Sequence, residues 1–169
     1  MQNAQLETSR LCLRPIKTRD WPLYQALLRS PDITRYLPKQ APYSDDEIMG
    51  IMQKRIQHWQ SFGFGTFTMI DKESDTAIGY VGVQKVEGHS ESDIRYAILP
   101  EYGGKGLTKE AARACLLWTF DQGQHGAIFG AALTKNVASI NTLKTIGMVP
   151  CNHVQLYDSD DIVYFIIEK

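Results

Sequence analysis

The sequence predicts an α+β domain, and three observations carry that expectation. Alternating and β-branched runs crowd the middle of the chain, two amphipathic helical stretches precede them, and a nearly all-apolar helical stretch follows. At 169 residues with 43% hydrophobic content, the chain suits one domain with a continuous core. No repeat, linker or low-complexity segment divides it, so a single domain spanning residues 1–169 is expected.

Taken in order, Arg10–Pro15 alternates apolar and polar residues and ends at a proline, which predicts an opening strand. Thr18 is placed to cap a first helix, with Pro22 in its first turn and Leu23, Ala26 and Leu27 on one side. After Pro31 and Pro38, the run Ser44-Asp45-Asp46-Glu47 has the form of a capping box. It opens a second helix through Ile48, Ile51, Ile56 and Trp59 that ends near Gly63. The period then changes. Phe67–Ile70 and Ala77–Val86 form a hairpin around a polar turn, and Ile94–Leu99 is a further strand bounded by Pro100. Leu107–Asp121 is a helix apolar on nearly all sides and therefore buried, and Gly123 and Gly126 end it. Ile128–Leu133 reads as a buried strand and Val137–Ile146 as a helix stopped by Gly147. Val154–Tyr157 and Ile162–Ile167 read as a terminal hairpin.

Charge and cysteine usage exclude several classes. Eighteen basic against nineteen acidic residues give a formal net charge of −1, so no global field recommends nucleic acid or an anionic membrane. Cys12, Cys115 and Cys151 lie far apart without metal or disulfide spacing, and the strand alternation at Cys12 and the apolar helical stretch at Cys115 point to small buried thiols. The first residues lack the apolar core of a signal peptide and no run is long enough to span a bilayer, so a cytoplasmic location is expected.

The chemistry concentrates between the strand at Ile94–Leu99 and the helix at Leu107–Asp121. Pro100-Glu101-Tyr102-Gly103-Gly104-Lys105-Gly106-Leu107-Thr108 holds three glycines within four residues. A strand, a glycine loop and a helix N-terminus together offer consecutive N–H groups and a favourable dipole to a polyanion, with Lys105 and Lys109 adding local charge. A tight turn alone would also use such glycines. The loop matches neither the GxxxxGK[ST] of a nucleotidase nor a GxGxxG in a parallel βαβ unit. Two elements later comes Asn136-Val-Ala-Ser139-Ile, followed by Ile146-Gly-Met148.

On these two motifs, with the opening Leu6-Glu-Thr-Ser-Arg-Leu-Cys-Leu-Arg-Pro15 and the run Asp93-Ile-Arg-Tyr-Ala-Ile-Leu-Pro100, the sequence resembles the GNAT N-acetyltransferases. Within them it resembles the group that acetylates ribosomal-protein N-termini, and the likeness runs from about Leu6 to about Glu168. The resemblance implies a three-layer fold: a mixed, mainly antiparallel sheet of about seven strands flanked by about four helices. It implies an acyl-CoA wedged where Ile94–Leu99 and Ile128–Leu133 splay. The main chain of Ile98 and Leu99 would meet the pantetheine and acyl carbonyl, Tyr102, Gly103, Gly104, Lys105, Gly106, Leu107 and Thr108 would hold the pyrophosphate, and Asn136 and Ser139 would reach the pantetheine arm and thiol. Acetyl-CoA is the implied co-substrate, with no metal.

Four positions depart from the family pattern: Gly103 replaces a common tryptophan, Glu101 a glutamine or arginine, Arg95 a frequent glycine, and Leu143 the tyrosine that often serves as general acid. Asp93 is the first candidate for general base, with Glu91 and Glu87 as alternatives; Ser139 is the candidate to replace the missing acid. Tyr96, Tyr102 and Trp118 are read as packing rather than as a catalytic set. The expected activity is transfer of acetyl to a primary amine, a protein N-terminus or a small molecule, by a monomer or homodimer. The loss at Leu143 motivates a second reading, a catalytically silent acyl-CoA-binding module, and the loop alone a third, a nucleotide-binding protein.

Overall fold

The computed structural model describes residues 4–169. Eight strands form one sheet: β1 (Leu6–Glu7), β2 (Leu11–Pro15), β3 (Thr66–Asp71), β4 (Thr76–Lys85), β5 (Ser92–Ile98), β6 (Ala127–Leu133), β7 (Val149–Cys151) and β8 (Ile162–Glu168). The helices are α1 (Trp21–Leu28), α2 (Pro31–Thr34), α3 (Asp45–Phe62), α4 (Leu107–Asp121) and α5 (Val137–Thr145). The sheet order is β1-β2-β3-β4-β5-β6-β8-β7, and among the described strands only β5 and β6 run parallel. The expected mixed, mainly antiparallel sheet is therefore present, with one more strand and one more helix than expected. Both additions, β1 and α2, are too short to leave a periodic signal.

Register assigns the helices to the two faces. Tyr80, Gly82 and Gln84 on β4 stand opposite Ala97, Arg95 and Asp93 on β5, so these six share one face. Tyr24 of α1 stacks on Tyr80 at 5.6 Å, and Arg55 of α3 lies over the same ring, so α1 and α3 cover that side. Phe67, Val81 and Tyr96 occupy the other face, where Trp118 of α4 meets Phe67 edge-on and Ser139 of α5 meets Tyr96. The two helix layers enclose a continuous apolar cluster running from Leu11 to Phe165.

Local signals succeed where the chain caps itself. Ser44 and Glu47 form the capping box of α3, and Gly63 ends that helix at a φ of 75°. They fail where a neighbouring element competes. Thr18 does not cap α1; it opens a short 3-10 turn, and Asp20 occupies the cap position because Arg14 and Thr68 hold its carboxylate inside. The terminal hairpin uses Val149–Cys151, not Val154–Tyr157, as the partner of β8. The Tyr164 hydroxyl accepts the N–H groups of Leu156 and Tyr157, which holds that segment as a loop, and Pro150 is tolerated because β7 is a sheet edge. Cys115 is buried as expected and Cys151 is buried as well, but Cys12 is only partly so, since it alternates with the fully buried Leu11 and Leu13.

Leu143 belongs to this core. It is 1% exposed, and a Cβ on Gly130 of β6 would come within 2.7 Å of its Cδ2, so the glycine is what lets α5 seat against the sheet. Leu143→Ala should lower stability by about 2–5 kcal/mol, read as a fall in the urea midpoint at unchanged slope. No helix among the described residues is long and apolar enough to cross a membrane.

Candidate active site

The site begins with a failure of pairing. β5 and β6 meet only at Asp93–Phe129 and Ile94–Gly130; beyond these two pairs no ladder joins them, and a cleft opens toward the C-terminal end of β5. Hydrogen-bond alternation then fixes which groups line it. Leu99 N–H donates to Ile78 O at 2.8 Å, on the β4 side, so the main-chain groups of Ile98 turn to the opposite edge, where β6 has withdrawn. Ile98 thus presents a free amide and carbonyl to the cleft. Leu99 lies one residue past the strand, and both its N–H and its C=O are engaged within the protein, the latter by Tyr102 N–H.

The glycine loop supplies a second set of donors. Among the described residues, the N–H groups from Gly104 to Lys109 find no acceptor in the protein, and the first helical bond of α4 is Glu110 N–H to Gly106 O at 3.1 Å. Gly104 and Gly106 hold φ values of 74° and 77°, the left-handed conformation that turns successive amides to one side. Six such amides at the head of a 15-residue helix form a cradle that could hold an anion such as a pyrophosphate. Of the predicted loop residues, Gly104, Lys105, Gly106, Leu107 and Thr108 contribute to it. The N–H groups of Tyr102 and Gly103 are consumed in the preceding 3-10 turn, and Tyr102 instead offers its ring, with Lys105 Nζ 5.7 Å above it.

The cradle is braced from the N-terminus. Arg10 donates from Nη1 to Lys105 O at 2.8 Å and pairs through Nε with Glu110 at 2.8 Å, and Thr8 donates to the same carboxylate at 2.5 Å. Burial works to raise the Glu110 pKa, but these bonds from Thr8 and Arg10 outweigh it and hold the group below the usual range.

Across the cleft, Asn136 caps α5 by accepting Ser139 N–H at 3.2 Å, which fixes where Ser139 points. Ser139 Oγ lies 2.9 Å from the Tyr96 hydroxyl. This hydroxyl pair was not legible in the sequence: Tyr96 reads as strand packing, and only the β5 register aims it at α5. Burial pushes the Tyr96 phenol up to about 12, against the Ser139 hydrogen bond, so it keeps its proton at neutral pH.

Asp93 sits at the apex of the cleft on the opposite face of β5, 2% exposed. Arg95 Nε donates to its Oδ1 at 2.9 Å and the Tyr157 hydroxyl donates to its Oδ2, while Arg95 Nη2 reaches Tyr157 at 3.2 Å. Burial raises the Asp93 pKa, opposed by Arg95 and by Tyr157. Glu91 and Glu87 lie instead in the β4–β5 turn, where Glu91 faces His89. Tyr157 gave no sequence signal, because it reads as a strand residue and acts from a loop.

The splayed parallel pair, the row of unpaired amides at the head of α4 and the hydroxyls beside the splay are the arrangement of an acyltransferase fold. The acetyltransferase (GNAT) domain family matches residues 10–149, and the chain belongs to it. It is similar to the uncharacterized protein YkkB of Bacillus subtilis, with 29% identity over 95% of this chain and 94% of that protein. Among solved structures it resembles an acetyltransferase from Agrobacterium tumefaciens, at a TM-score of 0.89 and 22% identity, covering 100% of this chain and 96% of the other. The ribosomal L7/L12 α-N-protein acetyltransferase RimL in complex with coenzyme A matches at 0.81 and 16% identity, over 98% of each chain. A spermidine N-acetyltransferase from Vibrio cholerae with coenzyme A and spermine matches at 0.76 and 21%, over 95% and 96%.

Proposed function

We propose that the protein transfers an acetyl group from acetyl-CoA directly to a primary amine, on a protein N-terminus or a small molecule, within a ternary complex. The observation that carries this reading is the cleft between β5 and β6, with the Ile98 amide on one wall and the Tyr96–Ser139 hydroxyls beside it. The six amides from Gly104 to Lys109 hold the pyrophosphate, and Asn136 and Ser139 line the path of the pantetheine arm. Ile98 N–H polarises the thioester carbonyl. Asp93 takes a proton from the incoming ammonium, directly or through the Tyr157 hydroxyl, and its raised pKa brings it closer to the working pH than an ordinary carboxylate. The neutral nitrogen attacks the thioester carbon, the C–S bond breaks, and Ser139 Oγ–H protonates the departing sulfur. Tyr96 re-supplies that proton and recovers one from nitrogen as the amide forms.

The test is release of free thiol from acetyl-CoA with a panel of amines. Amine-dependent release is expected, and Tyr96→Phe should lower kcat on the order of 10²-fold while leaving KM for acetyl-CoA unchanged. Tight acetyl-CoA binding with thiol release no faster than in buffer would replace catalysis by the binding-module reading, which the leucine at position 143 in place of a tyrosine motivates.

A further inference from the structure

The acceptor face carries a cation without a partner. Arg55 of α3 is 9% exposed, yet among the described residues it forms no ion pair. Its Nη1 donates to the Tyr24 hydroxyl at 3.1 Å, and the Tyr80 side chain is also within its hydrogen-bonding reach. Its guanidinium centre lies 4.2 Å from the Tyr80 ring centroid and 5.5 Å from that of Tyr24. Two aromatic faces and a phenol orient a guanidinium, but they do not neutralise it. Burial pushes the Tyr24 phenol up to about 12, so it supplies no counter-charge at neutral pH.

The acidic groups on this face are already engaged. Asp20 is saturated by Arg14 at 2.7 Å and 3.0 Å, by Thr68 at 2.6 Å and by Lys17 N–H at 2.9 Å. Asp93 is taken by Arg95 and Tyr157. Pairing Arg14 with Asp20 and Arg95 with Asp93 leaves one buried positive charge, that of Arg55. Leaving such a charge uncompensated is costly, and the cost falls when an anion arrives. The place is informative as well. Tyr80 stands directly opposite Ala97, next to Ile98, so the ring that anchors Arg55 springs from the strand neighbouring the one that carries the Ile98 amide, the two backbones roughly 4.8 Å apart.

We propose that the acceptor amine carries a carboxylate a few bonds away, and that Arg55 receives that carboxylate on the α1–α3 face while Asp93 takes the amine proton. The inference rests on the acetyl-transfer reading and names the substrate class for it. A carboxylate in this position comes from a free amino acid or from an acidic residue next to a peptide N-terminus. A polyamine has no anion to offer and meets Arg55 as a like charge.

The decisive experiment compares matched acceptors on the wild-type enzyme: the common L-amino acids against their α-carboxamides, peptide amides with glutamate against glutamine as second residue, and spermidine. In the preferred series, the carboxylate should show a KM at least about 10-fold below its amide, the range of a charge-assisted bond, and spermidine should be the poorest acceptor. The first arm responding alone assigns a free amino acid, and the second alone a peptide. Arg55→Met should raise KM for the carboxylate about 30-fold and leave that for the carboxamide and for acetyl-CoA unchanged, with Arg55→Lys intermediate. Amides accepted as well as carboxylates, or a KM rise shared by both, overturns the proposal; the wild-type comparison stands even if a variant fails to fold. If no amine is acetylated, the transfer reading fails, and calorimetric titration of the same amino acids into coenzyme A-saturated protein still decides the anion site. Heat from carboxylates but not carboxamides supports it, and heat from neither overturns it.

Discussion

Glutamate in place of Gly104 should weaken acetyl-CoA binding by more than about 100-fold, measured by calorimetric titration. Two effects add. The backbone there holds φ at 74°, which costs a residue with a Cβ about 1–2 kcal/mol, and the new carboxylate stands at the mouth of the amide cradle proposed to take the pyrophosphate. The two separate cleanly, because a Cβ at Gly104 meets nothing within 4 Å. Gly104→Ala therefore carries the backbone cost alone and should lose about 10-fold or less. A glutamate variant that binds within threefold of wild type would show that the loop is a turn and not a phosphate site.

The second large effect is expected at Asp93. Asp93→Asn keeps the shape and an acceptor oxygen for Arg95, with its new NH2 facing the Tyr157 oxygen, but cannot take a proton, so kcat/KM should fall by roughly 10²–10³. The sign of the pH dependence follows from the shift. Burial raises the folded pKa, so the active, ionised form is lost on acidification at a higher pH than for an ordinary carboxylate. Activity should rise with pH through that limb in the wild type, and the limb should vanish in the asparagine variant. A variant that retains the limb would move the base elsewhere, with Glu91 the next to test.

The parts of this molecule that were legible in the sequence are those the chain specifies locally. The capping box at Ser44 and Glu47 and the glycines at 104 and 106 each write their geometry in a few adjacent residues, and each stands where expected. What was not legible depends on register. Tyr96 reaches Ser139, and Arg55 reaches Tyr80, only because strands and helices far apart in sequence align to within a residue. Tyr157 shows the same limit in reverse: its apolar neighbours suggest a strand, but Tyr164 captures the loop amides and β7 takes the edge. Asp93 is singled out as a candidate by its place in a motif, whereas its buried pairing with Arg95 and Tyr157 is visible only in the fold.

The brace at Arg10 ties the ends of the problem together. It joins Lys105 O and Glu110 to the first strands across roughly a hundred residues of chain. Closing a contact of such sequence separation carries a loop-closure cost, so the brace supports the cradle only while the N-terminal strands are docked. Mass action makes the relation reciprocal: whatever occupies the cradle adds its binding energy to the docked N-terminus, so occupancy of the cradle and protection of β1 and β2 from proteases rise together.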